Sequence, residues 1–123
     1  MALEAQTVDK IFCGEQQSES DHFFSGTESW NGSDEGIHWR RTRQQFTYQM
    51  KADGAKTLRL KGFADREPIV VSLDGKALAT VGFDRSGMAT VELPADVKGT
   101  VTIGLAAEQG KQTPRICEVR LCK

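Results

Sequence analysis

The chain has 123 residues, enough for one domain that buries about two thirds of its unfolded surface in a single core without covalent staples. Apolar residues make up 38% and charged residues 27%, an ordinary globular balance. The formal net charge of −1 argues against nucleic acid or an anionic membrane as a general partner, although Arg40, Arg41 and Arg43 can still form a local basic face.

In chain order, the opening MALEAQTVDK lacks the charged n-region and apolar h-region of a secretory signal. Val8 to Phe12 is a short β-prone run, ended by Gly14. A polar, turn-rich stretch from Gly14 to Arg43 follows. It shows little alternation and is expected to be one long ordered connection. Beyond it the pattern is regular. Phe46, Tyr48 and Met50 alternate with Thr47 and Gln49, and Leu58 and Leu60 with Arg59 and Lys61. Ile69 to Leu73 and Leu78 to Phe83 flank Asp74-Gly75, a hairpin-turn signal. Met88 to Leu93, Val101 to Leu105 and Ile116 to Leu121 complete the series, with a bulge expected where the alternation slips near Cys117 and Glu118. All three prolines fall at strand margins. No segment keeps a helical period over three turns, and only Ala95 to Lys98 suits a single short turn. About eight short strands at near-regular spacing predict an all-β domain, an antiparallel β-sandwich of jelly-roll type, with residues 1–123 as one module.

Three cysteines form no CxxC or Cys/His metal spacing. They read as buried small hydrophobes or free thiols. Pairing of the first and last strands would also make a Cys13–Cys117 or Cys13–Cys122 bridge conceivable.

The polar stretch holds the candidate chemistry. Glu15, Glu19 and Asp21 are close in sequence, as paired acids of a hydrolase can be, but spacing does not fix the distance such a pair needs. No nucleophile elbow or zincin motif is present, so catalysis by this chain alone is not expected. With Glu28, Asn31, Asp34 and Glu35 these acids offer hard oxygens for a structural calcium ion. Turn-capping is the plainer reading of the same residues, and no other cofactor is expected. Asn31-Gly32-Ser33 matches a glycosylation acceptor. Sugar recognition needs an aromatic face and planar polar groups, and Trp30 and Trp39 with Gln16, Gln17, Asp21, His22 and Arg40 supply both types. Trp39 beside a regular strand also suits a core position. Arg40 drawn inward would instead be an anchor, bidentate to Glu15 or Glu19.

The run Gly14-Glu15-Gln16-Gln17-Ser18-Glu19-Ser20-Asp21-His22 is the distinctive string. With Trp39-Arg40, Phe46-Thr47-Tyr48 and Val71-Ser72-Leu73-Asp74-Gly75-Lys76, it resembles the C-terminal β-sandwich module of bacterial proteins related to β-L-arabinofuranosidases, glycoside hydrolase family 127. The resemblance spans about Val8 to Leu121. Where the family pattern reads Trp-Arg-Asp-Ala, this chain has Trp39-Arg40-Arg41-Thr42, a base in place of an acid. The family's catalytic Glu and Cys–zinc site belong to a helical barrel, so Cys13, Cys117 and Cys122 are not that nucleophile. The resemblance implies a non-catalytic, monomeric accessory module of a secreted or periplasmic polysaccharide-degrading protein. Its partner would be a glycan or, alternatively, a neighbouring catalytic domain that the module packs on and stabilises.

Overall fold

The computed structural model describes residues 7–123; residues 1–6, the start of the opening read above for a signal, lie outside them. The described chain is an antiparallel β-sandwich. Its strands are β1 (Thr7–Phe12), β2 (Ser25–Asp34), β3 (Ile37–Lys51), β4 (Thr57–Gly62), β5 (Ile69–Leu73), β6 (Lys76–Val81), β7 (Met88–Glu92), β8 (Thr100–Ala106) and β9 (Ile116–Cys122), with one short helix, α1 (Gln16–Asp21). One wing runs β6-β5-β8-β3, with β2 on β3, and the other runs β9-β4-β7, with β1 on β9. The long β3 joins them: its C-terminal half pairs with β8, while Arg40 in its N-terminal half pairs with Ile116 of β9.

Each strand expected from alternation forms, and the alternation states which face is inward. Phe46, Tyr48 and Met50 of β3 are buried, as are Leu58 and Leu60 of β4, Ile103 and Leu105 of β8, and Val119 and Leu121 of β9. Burying side chains of this size stabilises the fold by about 1.5–3 kcal/mol each. Asp74-Gly75 closes the β5–β6 hairpin with φ of 50° and 85°, the doubly positive geometry that favours Asp-Gly. The expected bulge is present: the β4–β9 register passes from Lys61↔Glu118 to Gly62↔Ile116 and leaves Cys117 unpaired there.

The Gly14–Arg43 stretch departs from the expectation of one connection. It folds into α1 and then into the β2–β3 hairpin, which turns at Glu35 and Gly36, also both at positive φ. The face it turns toward α1 is polar. Asn31 opposes Arg40 and Ser29 opposes Thr42 on one face, while Trp30 opposes Arg41 and Gly32 opposes Trp39 on the other.

β1 and β9 pair as the terminal strands of such sandwiches do, but no bridge links their cysteines, and all three thiols are free. Cys13 N–H donates to the Cys117 carbonyl at 2.9 Å, yet the two thiols stay free. Cys13 is buried beside Tyr48, and Cys117 faces an outer cleft with Phe12 and His38. Burial pushes the Cys117 thiol up to about 11, so it stays protonated at neutral pH and is a poor nucleophile.

Candidate functional site

The polar stretch is organised around one buried carboxylate. Glu19, on the inner side of α1, accepts from Arg40 Nε at 2.6 Å and Nη2 at 3.0 Å, and from the Tyr48 hydroxyl at 2.5 Å. Arg40 Nη1 donates to Ser29 Oγ at 2.9 Å, and the guanidinium lies over the Phe24 ring at 4.1 Å. Phe24 in turn meets Tyr48 at 5.7 Å between ring centroids. Every Arg40 nitrogen therefore has a partner, and the carboxylate is held bidentate by a charged fork. Burial, then the neighbouring Cys13 and Glu19, push the Tyr48 phenol up, so it remains a donor. Arg40 is the inward anchor, and Glu19 rather than Glu15 is its partner.

Three clefts surround α1 and share walls. The first, of about 780 Å³, is bordered by Lys10, Phe12, Gln16, Gln17, Asp21 and His38. It shares Gln16 and Asn31 with an inner cleft of about 530 Å³ that ends at Phe23, Phe24 and Arg40. It shares Phe12, Glu15 and His38 with a third of about 490 Å³, closed by Ile37, Lys61, Phe63 and Cys117. These adjoining clefts, linked through shared lining residues of the first, are called the groove.

Within the groove the expected residues divide. Gln16 is exposed and free to meet a ligand. Gln17 Nε2 donates to Asp21 Oδ1 at 2.8 Å, which leaves the other oxygens of the pair outward. His22 lies between the Ser18 carbonyl at 2.8 Å and the Asp9 carboxylate at 2.9 Å, so both ring nitrogens are engaged in holding α1 on β1. Trp39 is outside the groove. Its Nε1 donates to Asp34 Oδ2 at 2.9 Å, and its ring packs on Gly32. Trp30, on the same hairpin face as Trp39, also lies outside the groove, with the Arg43 guanidinium 5.4 Å from its ring centroid.

Sequence reasoning missed Phe12, Phe23 and Ile37. They are 42%, 68% and 49% exposed, the large hydrophobic side chains left exposed among the described residues, and all three line this groove. Phe23 also holds a positive φ of 53°, an uncommon conformation for a bulky side chain.

Arg115 fixes the groove's far wall. Its Nη1 donates to Asp34 Oδ2 at 2.7 Å in the hairpin tip, and Nε and Nη2 fork onto Asp65 at 3.0 and 2.9 Å. The guanidinium stacks on Phe63 at 4.0 Å. The hydrogen bond from Arg115 holds the Asp65 carboxyl below its ordinary range, against the opposing effect of burial. A depressed folded-state value contributes stability that is present above about pH 4 and lost as pH falls through the folded value. Arg115→Ala is expected to flatten this acid limb of the stability profile. At neutral pH it should cost about 1 kcal/mol, because both partners are partly solvated. Urea midpoints measured across the acid range check it; a profile parallel to that of the unmodified chain would refute the assignment.

Three of the acids that sequence reading offered to calcium are engaged by protein donors: Glu19 by Arg40 and Tyr48, Asp34 by Trp39 and Arg115, Asp21 by Gln17. Among the described residues no group of three or more His, Cys, Asp or Glu is placed to hold a metal ion. No described helix is long and apolar enough to cross a membrane.

This fold is shared by solved carbohydrate-binding modules. A family 35 carbohydrate-binding module from Clostridium thermocellum superposes with a TM-score of 0.59 at 9% identity, over 91% of this chain and 96% of that one. A family 36 module in complex with calcium and xylotriose gives 0.59 at 13% identity, over 91% and 98%. The exo-β-1,3-galactanase of Phanerochaete chrysosporium, in complex with galactose, gives 0.65 at 14% identity over 98% of this chain, which matches only 30% of that longer protein. No curated protein matches in sequence. The chain belongs to a family of unknown function, DUF6805, whose profile matches residues 2–122.

Proposed function

We propose that this chain is a non-catalytic glycan-binding module, with its site in the groove around α1. The observation that carries the reading is that exposed Phe12 and Ile37 share one cleft and exposed Phe23 lines another of the three adjoining clefts, with Glu15, Gln16, Asn31 and His38 also in their linings. Apolar faces suit the C–H face of a sugar ring, and amides and carboxylates suit its hydroxyls. Gln16, Gln17 and Asp21 contact the ligand; His22 and Arg40 position the helix that carries them. The fold likeness to carbohydrate-binding modules supports the class. The resemblance of the Gly14–His22 string to the module of β-L-arabinofuranosidase-related proteins supports a glycoside hydrolase parent acting outside the cytoplasm, on plant-type polysaccharide.

Calorimetric titration with arabino-oligosaccharides, xylotriose and β-1,3-galactotriose tests the reading. Binding of at least one is expected, weakened about fivefold by Phe12→Ala or Phe23→Ala, since loss of one aromatic contact is worth about 1 kcal/mol. No heat with any glycan, or variants that bind like the unmodified chain, would sink it. The alternative is a structural module that docks on a catalytic domain through the Phe12, Ile37 and Phe63 end of the groove. Under that reading no glycan binds, and Phe12→Ala rather than Phe23→Ala weakens the hold on the neighbouring domain.

A further inference from the structure

Another cleft lies away from α1, and the groove does not use it. It has a volume of about 920 Å³ and opens between the 107–112 loop and the middle of the β2–β3 hairpin. Glu28, Arg43, Gln44, Glu67, Gln109 and Gln112 line it. We propose that this cleft is a second carbohydrate site, specific for neutral sugars, with Trp30 as its stacking surface. The proposal rests on the carbohydrate-module reading but not on the α1 groove.

The chemistry of the lining selects the ligand. Gln44, Gln109 and Gln112 each present a carbonyl acceptor and an amide donor, matching hydroxyl groups that both donate and accept. Glu28 and Glu67 add acceptors suited to neighbouring hydroxyls. The charges balance locally: Lys111 Nζ pairs with Glu108 at 3.3 Å, Arg41 Nη2 pairs with Glu67 at 3.3 Å, and Arg43 and Glu28 both line the cleft. Neither a uronate nor an amino sugar gains from that field, and an uncharged sugar loses nothing in it. The half-buried Trp30 ring is not itself in the lining but lies 5.4 Å from the guanidinium of exposed Arg43, which is, and the flexible Arg43 stem lets a sugar ring take its place on the indole.

The walls are already ordered. Ala107 N–H donates to the Gln44 carbonyl at 2.9 Å, and Thr113 N–H to the Thr42 carbonyl at 2.9 Å, which pins both ends of the loop to β3. Buried Thr42 also donates to the Thr27 carbonyl at 2.8 Å, beside the β2 bulge that leaves Glu28 at a φ of 48°. Little ordering entropy is therefore left for a ligand to supply.

NMR titration of the full chain with xylotriose, β-1,3-galactotriose and arabino-oligosaccharides decides the matter. The signals to follow are the Trp30 indole and the Gln44, Gln109 and Gln112 side-chain amides, with the Trp39 indole as an internal control. Saturable shifts of the cleft signals are expected. They should persist when the groove is disabled by Phe12→Ala with Gln16→Ala, and weaken at least tenfold in Trp30→Ala and in Gln44→Ala with Gln109→Ala. Trp30→Phe, which keeps a stacking face, should retain most of the affinity. Cleft shifts without groove shifts would uphold this site and overturn the groove. Cleft signals that stay still with every sugar, or that lose their shifts when only the groove is altered, would overturn the second site. Unchanged thermal unfolding of the variants separates lost binding from lost fold.

Discussion

Arg40→Met is expected to destabilise the domain by about 3–5 kcal/mol, because it leaves the Glu19 carboxylate buried without its counter-charge. For a domain of this size that corresponds to a fall in melting temperature on the order of 10 °C. Removal of one partner is costly, whereas removal of the whole polar group need not be. Glu19→Leu with Arg40→Met and Tyr48→Phe replaces the two ions and the phenol by apolar groups and should recover much of the loss. Chemical denaturation of the single and triple variants measures both effects. A single variant within about 1 kcal/mol of the unmodified chain would show that the fork contributes little beyond packing. The triple variant also separates stability from recognition. Glu19 and Arg40 border the inner cleft, so a refolded triple variant that still binds glycan would confine their role to holding α1 in place.

The same network explains which parts of the fold were legible in the sequence. Alternation can be read where one face of a strand meets an apolar core, as in Phe46-Thr47-Tyr48-Gln49-Met50. In the β2–β3 hairpin the inward side chains include Ser29, Arg40 and Thr42, and Arg40 and Ser29 meet a helix that presents a glutamate. A strand packed on an ion pair leaves no hydrophobic pattern, so the hairpin read as loop. The helix fails for a matching reason. Its single buried side chain is Glu19, so no apolar period of 3.6 can appear. The site was legible in half. The polar members stood out as an unusual string, and Arg40 was correctly suspected of turning inward. Phe12, Phe23 and Ile37 escaped notice because an apolar residue in sequence is read as core, and only three-dimensional packing shows that these three are not. The tryptophans lie apart from the groove for a reason of strand geometry. Aromatic content near a polar run suggested one site, while strand alternation placed Trp30 and Trp39 on the hairpin face opposite Asn31 and Arg40.

Gly14→Ala is expected to cost about 2–4 kcal/mol and to damage the groove as well as the fold. Gly14 is buried with a φ of +84°, where a side chain is strained in any surroundings, and a Cβ there would lie 2.6 Å from the Trp39 carbonyl oxygen and 2.9 Å from its nitrogen. Backbone on both sides of the contact leaves no flexible side chain to yield. Relief requires the turn from β1 into α1 to move away from β3, and α1 is tied to that turn by the bond from Phe12 N–H to Ser18 Oγ at 2.9 Å. The displacement would lengthen the Glu19–Arg40 fork and shift Gln16, Gln17 and Phe12 relative to Asn31 and His38 across the groove. Two measurements must therefore move together. The denaturation midpoint should fall, and at temperatures where the variant is still folded its glycan affinity at the groove should drop while the Trp30 cleft keeps its own. A variant that loses stability but binds normally in the groove would show that α1 is held by its own contacts and not by the closeness of Gly14 to β3.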